Sequence, residues 1–148
     1  MQNQSTYSAA SANREFLSFS LGREEYAMNI LQVQEIRSYE TPTHIATAPE
    51  YVKGVINLRG AIVPVHDLRL KLGSGEAVYD QTTAVIVTNV GQNTIGFVVD
   101  RVSDVLALTE GQMHPLPDMG TSGIEYITGL GVIDERTLTL VDAAKLCA

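Results

Sequence analysis

At 148 residues, 45% of them hydrophobic and 18% charged, the chain is long enough for one compact unit or two intimate small ones without covalent staples. Its formal net charge of -7 opposes phosphate backbones, which excludes nucleic acid as an expected partner. A single cysteine, Cys147, excludes an intramolecular disulfide and a thiolate metal cluster, and fits a reducing cytoplasm.

Residues 1–14 are mostly small and polar, without periodicity, and are expected to form a disordered N-terminal lead. They lack the basic start and apolar run of a secretory signal. No segment approaches the roughly 18 consecutive apolar residues of a membrane span, so no direct membrane insertion is expected. From Phe16 onward Leu17, Phe19 and Leu21 alternate with Ser18 and Ser20, and Gly22-Arg23-Glu24-Glu25 turns the chain into Tyr26 and Met28, which reads as a hairpin. Asn29 can cap one turn through Ile30, Leu31 and Gln32, whereas Val33, Ile36 and Tyr39 fit strand and helix equally well. After a proline-bearing loop, Thr41-Pro42 to Ala48-Pro49, a β-rich run from Val52 to Leu58 reverses at Asn57-Leu58-Arg59-Gly60 and returns as Ala61 to Val65. Asp67 then caps a short helix ending near Gly73.

Ser74-Gly75-Glu76-Ala77 reads as a linker, beyond which Val85 to Val87, Ile95 to Val99 and Val102 to Leu108 are strands rich in branched residues. A loop with Pro115, Pro117 and Gly120 to Gly123 leads to Ile127 to Ile133, a polar turn at Asp134-Glu135-Arg136, the strand Leu138 to Val141 and a stub helix. Many short strands with few helices point to small barrels.

The landmarks occur twice. Glu50-Tyr51-Val52-Lys53-Gly54-Val55 returns as Glu125-Tyr126-Ile127-Thr128-Gly129-Leu130, and Val65-His66-Asp67 is answered by Val141-Asp142. Upstream, Leu21-Gly22 through Tyr26, Met28, Val33, Glu35 and Ile36 aligns without gaps on Val90-Gly91 through Ile95, Phe97, Val102, Asp104 and Val105. We read two related halves, about 15–73 and 82–147, each expected to form a barrel of about five strands, with a groove along their seam.

A catalytic or metal site would have to draw on His44, His66 and His114 with Asp67, Asp80, Asp100 or Asp142, yet none sits in a recognisable motif, and paired cysteines and a phosphate-cradling loop are missing. His66 and Asp67, neighbours in a strand, point to opposite faces. Asp67, like its counterpart Asp142, has a sufficient role as a helix cap. No cofactor and no metal are expected. A small-barrel enzyme or ligand-binding domain using His66 and Asp67 remains the alternative reading. The tip Asn57-Leu58-Arg59-Gly60 asks for explanation, because its counterpart is fully polar. Leu58 either folds back on its own barrel or joins Arg59, a residue type enriched in interface hot spots, in docking a partner. In Val33-Gln34-Glu35-Ile36-Arg37 both faces carry an apolar residue if the segment is extended, and Val85 and Val87 pose the same question of core against interface.

Glu24-Glu25-Tyr26, Val33 to Arg37, Lys53 to Val65, Asp67-Leu68-Arg69 and Ile95 to Leu106 together resemble the CheW family of bacterial chemotaxis coupling proteins, over about residues 15–146. The loop Met119 to Gly123 matches nothing of known role there. The resemblance implies a mainly β fold, a CheW-like domain over 15–148 built of two pseudo-repeated, intertwined SH3-like five-stranded β-barrels with short helices, and no catalytic activity. It implies a cytoplasmic adaptor in two-component signalling, tied to membrane receptor arrays through its partners. These are the cytoplasmic tip of methyl-accepting chemoreceptors and the regulatory domain of the histidine kinase CheA. Carried over by motif, Val33, Glu35, Ile36, Gly54, Asn57, Leu58, Arg59, Val85 and Val87 are the expected partner-binding residues, the groove between the barrels receives the receptor, and Glu35 is expected to face Arg59.

Overall fold

The computed structural model describes residues 13–73, 77–117 and 124–147. The lead up to residue 12, the linker at 74–76 and the glycine-bearing loop 118–123 lie outside the described residues. The elements are β1 (Asn13–Leu21), β2 (Glu24–Asn29), a 3-10 turn (Ile30–Gln32), β3 (Val33–Ser38), β4 (Val52–Leu58), β5 (Ala61–Asp67) and helix α1 (Leu68–Leu72). They continue with β6 (Ala84–Val90), β7 (Asn93–Val99), β8 (Arg101–Thr109), a second 3-10 turn (Glu110–Gln112), β9 (Met113–His114), β10 (Ile127–Ile133), β11 (Arg136–Val141) and helix α2 (Ala143–Leu146). Asn13 and Arg14, assigned to the lead by composition, already pair with Thr109 and Leu108 of β8. The undecided segment after Val33 is an extended edge strand.

The strands form two sheets, in the orders β8-β1-β2-β11-β10-β9 and β3-β6-β7-β5-β4. Leaving out the two-residue β9, the orders correspond strand for strand, with β8 answering β3, β1 answering β6, β2 answering β7, β11 answering β5 and β10 answering β4. No sequence half closes a barrel by itself. The hairpin β1–β2 belongs to barrel one while the rest of its half builds barrel two, and β6–β7 makes the reverse exchange. The repeat persists in atomic detail: Asp67 N donates to Tyr51 O at 2.7 Å, and Asp142 N donates to Tyr126 O at 2.9 Å. Thr43 bridges Val55, as His114 bridges Leu130 in the other copy. Gly54 and Gly129 lie beneath those bridges, where an added Cβ would meet the Thr43 oxygen at 2.0 Å or the His114 oxygen at 2.6 Å.

The core has three parts. Phe16, Ala27, Leu106, Leu108, Leu138 and Leu140 fill barrel one, and Leu58, Val63, Val65, Val85, Val87 and Val98 fill barrel two. The largest cluster, including Leu17, Phe19, Met28, Ile86, Phe97 and Val99, joins strands of both sheets and forms the seam. Strands with one face in a barrel and the other in the seam are covered on both sides, so β6 reads as an unbroken apolar run rather than an alternation.

Both helices follow the last strand of their copy, and their caps differ. Asp67 Oδ1 accepts from Arg69 N at 3.0 Å, and Gly73, with φ of 69°, closes α1 in the left-handed conformation. Asp142 makes no side-chain cap, contrary to the sequence reading, because its carboxylate accepts from Gln32 Nε2 at 2.6 Å.

Candidate functional site

The β4–β5 connection is a two-residue turn. Arg59 and Gly60 both have positive φ, 53° and 88°, as hairpin turns that match the twist of their strands require. Asn57 Oδ1 accepts from Gly60 N at 2.9 Å and braces the tip. This geometry projects Arg59 toward the edge strand β3, where its guanidinium forms an ion pair with Glu35. Arg37 reaches the same carboxylate at 3.3 Å and Glu40 at 3.8 Å. Hydrogen bonding from Arg59, aided by Arg37, holds the Glu35 carboxyl below the ordinary carboxylate range despite the opposing effect of desolvation. Ile36, next to Glu35, is 47% exposed, and Ile62, three residues after Arg59, is 65% exposed. The two elements that supply the ion pair thus also present apolar surface.

Of the nine expected partner-binding residues, Asn57 and Arg59 are exposed at the turn and half-buried Glu35 meets Arg59, whereas Ile36 is exposed on the opposite face of β3 and Val33 is half-buried and packs on the seam. The others are buried. Leu58 pairs with Ala61 as the last residue of β4 and is only 6% exposed inside barrel two, as in the reading in which it folds back on its own barrel. Val85 and Val87 are interior residues of the same cluster, and Gly54 is buried under Thr43. A cleft of about 270 Å³ between β3 and β4 is lined by Arg37, Thr43, Ile56, Asn57 and Val85 among others. A larger cleft, about 430 Å³, runs between the β2–β3 crossover at Asn29, Leu31 and Gln32 and the Met113 to Pro115 segment.

Barrel one carries a second arrangement of this kind, which sequence reading missed. Arg136, on β11 just past the equivalent turn, contacts Asp104 at 3.3 Å and Glu25 at 2.8 Å, with Val105 and Val132 exposed nearby in sequence. The alignment of Glu35 with Asp104 held the signal, but the arginine is displaced from the position equivalent to Arg59, which is Asp134.

Also unforeseen is a buried charged cluster. Arg69 is 1% exposed and binds Asp67 through Nε at 3.0 Å and Nη2 at 2.9 Å, while Nη1 donates to Asp100 at 2.8 Å and to Val78 O at 2.6 Å. Tyr79, stacked on Tyr39 at 4.5 Å between centroids, donates its hydroxyl to Asp67 at 2.6 Å. Burial pushes the Asp67 carboxyl up, yet the bonds from Arg69 and Tyr79 outweigh it and leave the carboxyl below its usual value. Every strong interaction of Asp67 is internal.

His66 turns the other way, edge-on to Tyr51 at 5.4 Å and Phe97 at 6.0 Å, with Nδ1 buried and unpartnered. His44 and His114 are exposed and far apart in the chain. Among the described residues no three His, Cys, Asp or Glu side chains converge as metal ligands would. Burial, with a contribution from Lys71, lowers the His66 pKa, so the folded state holds the ring neutral. Stability associated with His66 is therefore full above the unfolded value near 6.5 and is lost as pH falls below it, because the unfolded chain takes the proton more readily. The urea midpoint is expected to drop between pH 7.5 and 5.5, and His66→Phe, which keeps the aromatic packing, should flatten that slope. A variant with the wild-type slope would show that His66 is not its source.

Residues 15–148 match the family described as CheW-like domain. The chain is 54% identical over 134 residues to the chemotaxis protein CheW of Klebsiella aerogenes, covering 90% of this chain and 81% of that protein. It is 36% identical over 146 residues to a probable chemotaxis protein CheW of Rhizobium etli, covering 95% and 94%. Among solved structures, the scaffolding protein TtCheW of Thermoanaerobacter tengcongensis matches with a TM-score of 0.84 and 28% identity over 90% of this chain and 91% of that one.

Proposed function

The chain belongs to the CheW-like family, and on that premise we propose that it is a noncatalytic adaptor coupling the cytoplasmic tip of methyl-accepting chemoreceptors to the regulatory domain of the histidine kinase CheA. The observation that carries the reading is the Glu35–Arg59 pair, displayed at a braced turn whose following strand exposes Ile62. A solvent-screened ion pair of this kind contributes little to folding, whereas arginine is enriched among binding hot spots. The relatives named as chemotaxis proteins and as a scaffold supply the pathway. In this role the protein works in the cytoplasm and reaches the membrane only through its partners; among the described residues no helix is long and apolar enough to cross a membrane.

Arg59→Glu tests the face. It is expected to weaken the complex with one of the two partners by about 2 kcal/mol, roughly thirtyfold in affinity. The melting temperature should change little, as for surface substitutions within about 0.5 kcal/mol. Isothermal titration and a thermal melt on the same preparation decide it. Unchanged binding, or a loss of folding that accounts for the loss of binding, would assign Arg59 a structural role instead.

A further inference from the structure

The chain passes between barrels at two crossovers. One is the 3-10 turn Ile30–Gln32 between β2 and β3, and the other is the single residue Asp100 between β7 and β8. A seam made of apolar side chains is strong but non-directional, so it leaves the angle between the sheets weakly specified. Directional bonds at the crossovers add a constraint on that angle to the one the packed side chains supply. At Asp100 four polar atoms meet three segments, the β1–β2 hairpin, the loop at Thr82 and α1. Its N–H donates to Ser20 O at 3.1 Å, and its carbonyl oxygen accepts from Thr82 Oγ1 at 3.2 Å. Oδ2 accepts from Gly22 N at 2.6 Å, and Oδ1 accepts from Arg69 Nη1 at 2.8 Å. Gly22 lies on the β1–β2 turn of barrel one and Arg69 in α1 behind barrel two, so one carboxylate spans the seam.

The other crossover uses the same plan with neutral donors. Gln32 Nε2 donates to Asp142 Oδ1 at 2.6 Å, and its Oε1 accepts from Ala143 N at 3.1 Å, binding the turn to the start of α2. In each case a crossover side chain seizes the first turn of the helix that follows a barrel's last strand. We propose that Asp100 and Gln32 are positioning residues: two polar latches, one at each crossover, that fix the angle between the barrels and make the face spanning them one rigid surface. Any bearing on partner docking rests on the adaptor reading above, but the latches act in the isolated chain and are tested there.

The test is solution NMR on the full chain, measuring residual dipolar couplings and amide exchange for wild type, Asp100→Ala and Gln32→Ala. One alignment tensor is expected to fit both sheets of the wild type. Asp100→Ala should require two, with each sheet's internal fit unchanged, and the Gly22 amide should exchange on the order of tenfold faster, as befits loss of a hydrogen bond to a charged acceptor. Gln32→Ala should shift the angle less. Should Asp100→Ala fail to fold, Asp100→Asn, which keeps an acceptor for Gly22 and loses the charge facing Arg69, is expected to show an intermediate change. A single tensor with the wild-type angle in every folded variant would overturn the latches while leaving the adaptor reading untouched.

Discussion

Arg69→Leu is expected to cost about 3 to 5 kcal/mol of folding stability, the range for removing one partner of a buried ion pair. The loss comes less from the missing attraction than from what remains. Asp67, itself fully buried, would keep its charge with only the Tyr79 hydroxyl and the Arg69-position amide as donors. Asp100, a third exposed, can turn to water, so the penalty falls on Asp67. The sign with pH follows. In the wild type the Asp67 carboxyl is held below its usual value, so its contribution is present above about pH 4 and lost as pH falls through the folded value. In the variant the carboxyl loses the guanidinium that opposed burial, so its pKa is expected to rise and the deficit relative to wild type to shrink toward acid pH. Urea unfolding at pH 7 and pH 4.5 measures both, and a loss under about 1 kcal/mol at pH 7, a hydrogen bond's worth, would contradict the account.

Gly54→Ala is expected to cost about 3 kcal/mol or more, the upper end for strained backbone, because two penalties coincide there. With φ of 140° the residue occupies a region that side chains rarely enter, and the new Cβ would lie 2.0 Å from the Thr43 carbonyl oxygen. Relief would require breaking the paired 2.9 Å bonds between Thr43 and Val55. For a chain of this size that loss corresponds to a fall in melting temperature of roughly 6 to 12 °C. Gly60→Ala is the control: its φ is also positive, at 88°, but nothing lies within 4 Å, so only the conformational penalty of about 1 kcal/mol applies. Scanning calorimetry separates the two. Loss of partner binding by Gly54→Ala with an unchanged melting temperature would return Gly54 to the docking surface.

The sequence was most legible where structure is local. The strand with alternating Leu17, Phe19 and Leu21, the Asn29 turn, the Asp67 cap and the helix end near Gly73 are each settled within a few residues, and each is present in the structure. The repeat was legible because duplicated landmarks keep their order even when strands are exchanged between barrels. What stayed open was face assignment. Leu58 directly precedes the turn, and in a ladder of period two a shift of one position separates core from surface. Val85 and Val87 carry no alternation to read, since both faces of β6 are covered. The Glu35–Arg59 contact was expected from family resemblance and complementary charge, whereas the Arg69 cluster depends on a bond to Asp100, 31 positions away, that no local pattern announces.

The central claim is that this chain acts by holding two other proteins together. Sedimentation velocity on the purified full chain mixed with a chemoreceptor cytoplasmic fragment, with the CheA regulatory domain, and with both measures this directly. The account predicts a complex with each partner alone and a larger ternary species when all three are present. A folded chain that sediments unchanged in every mixture would contradict it.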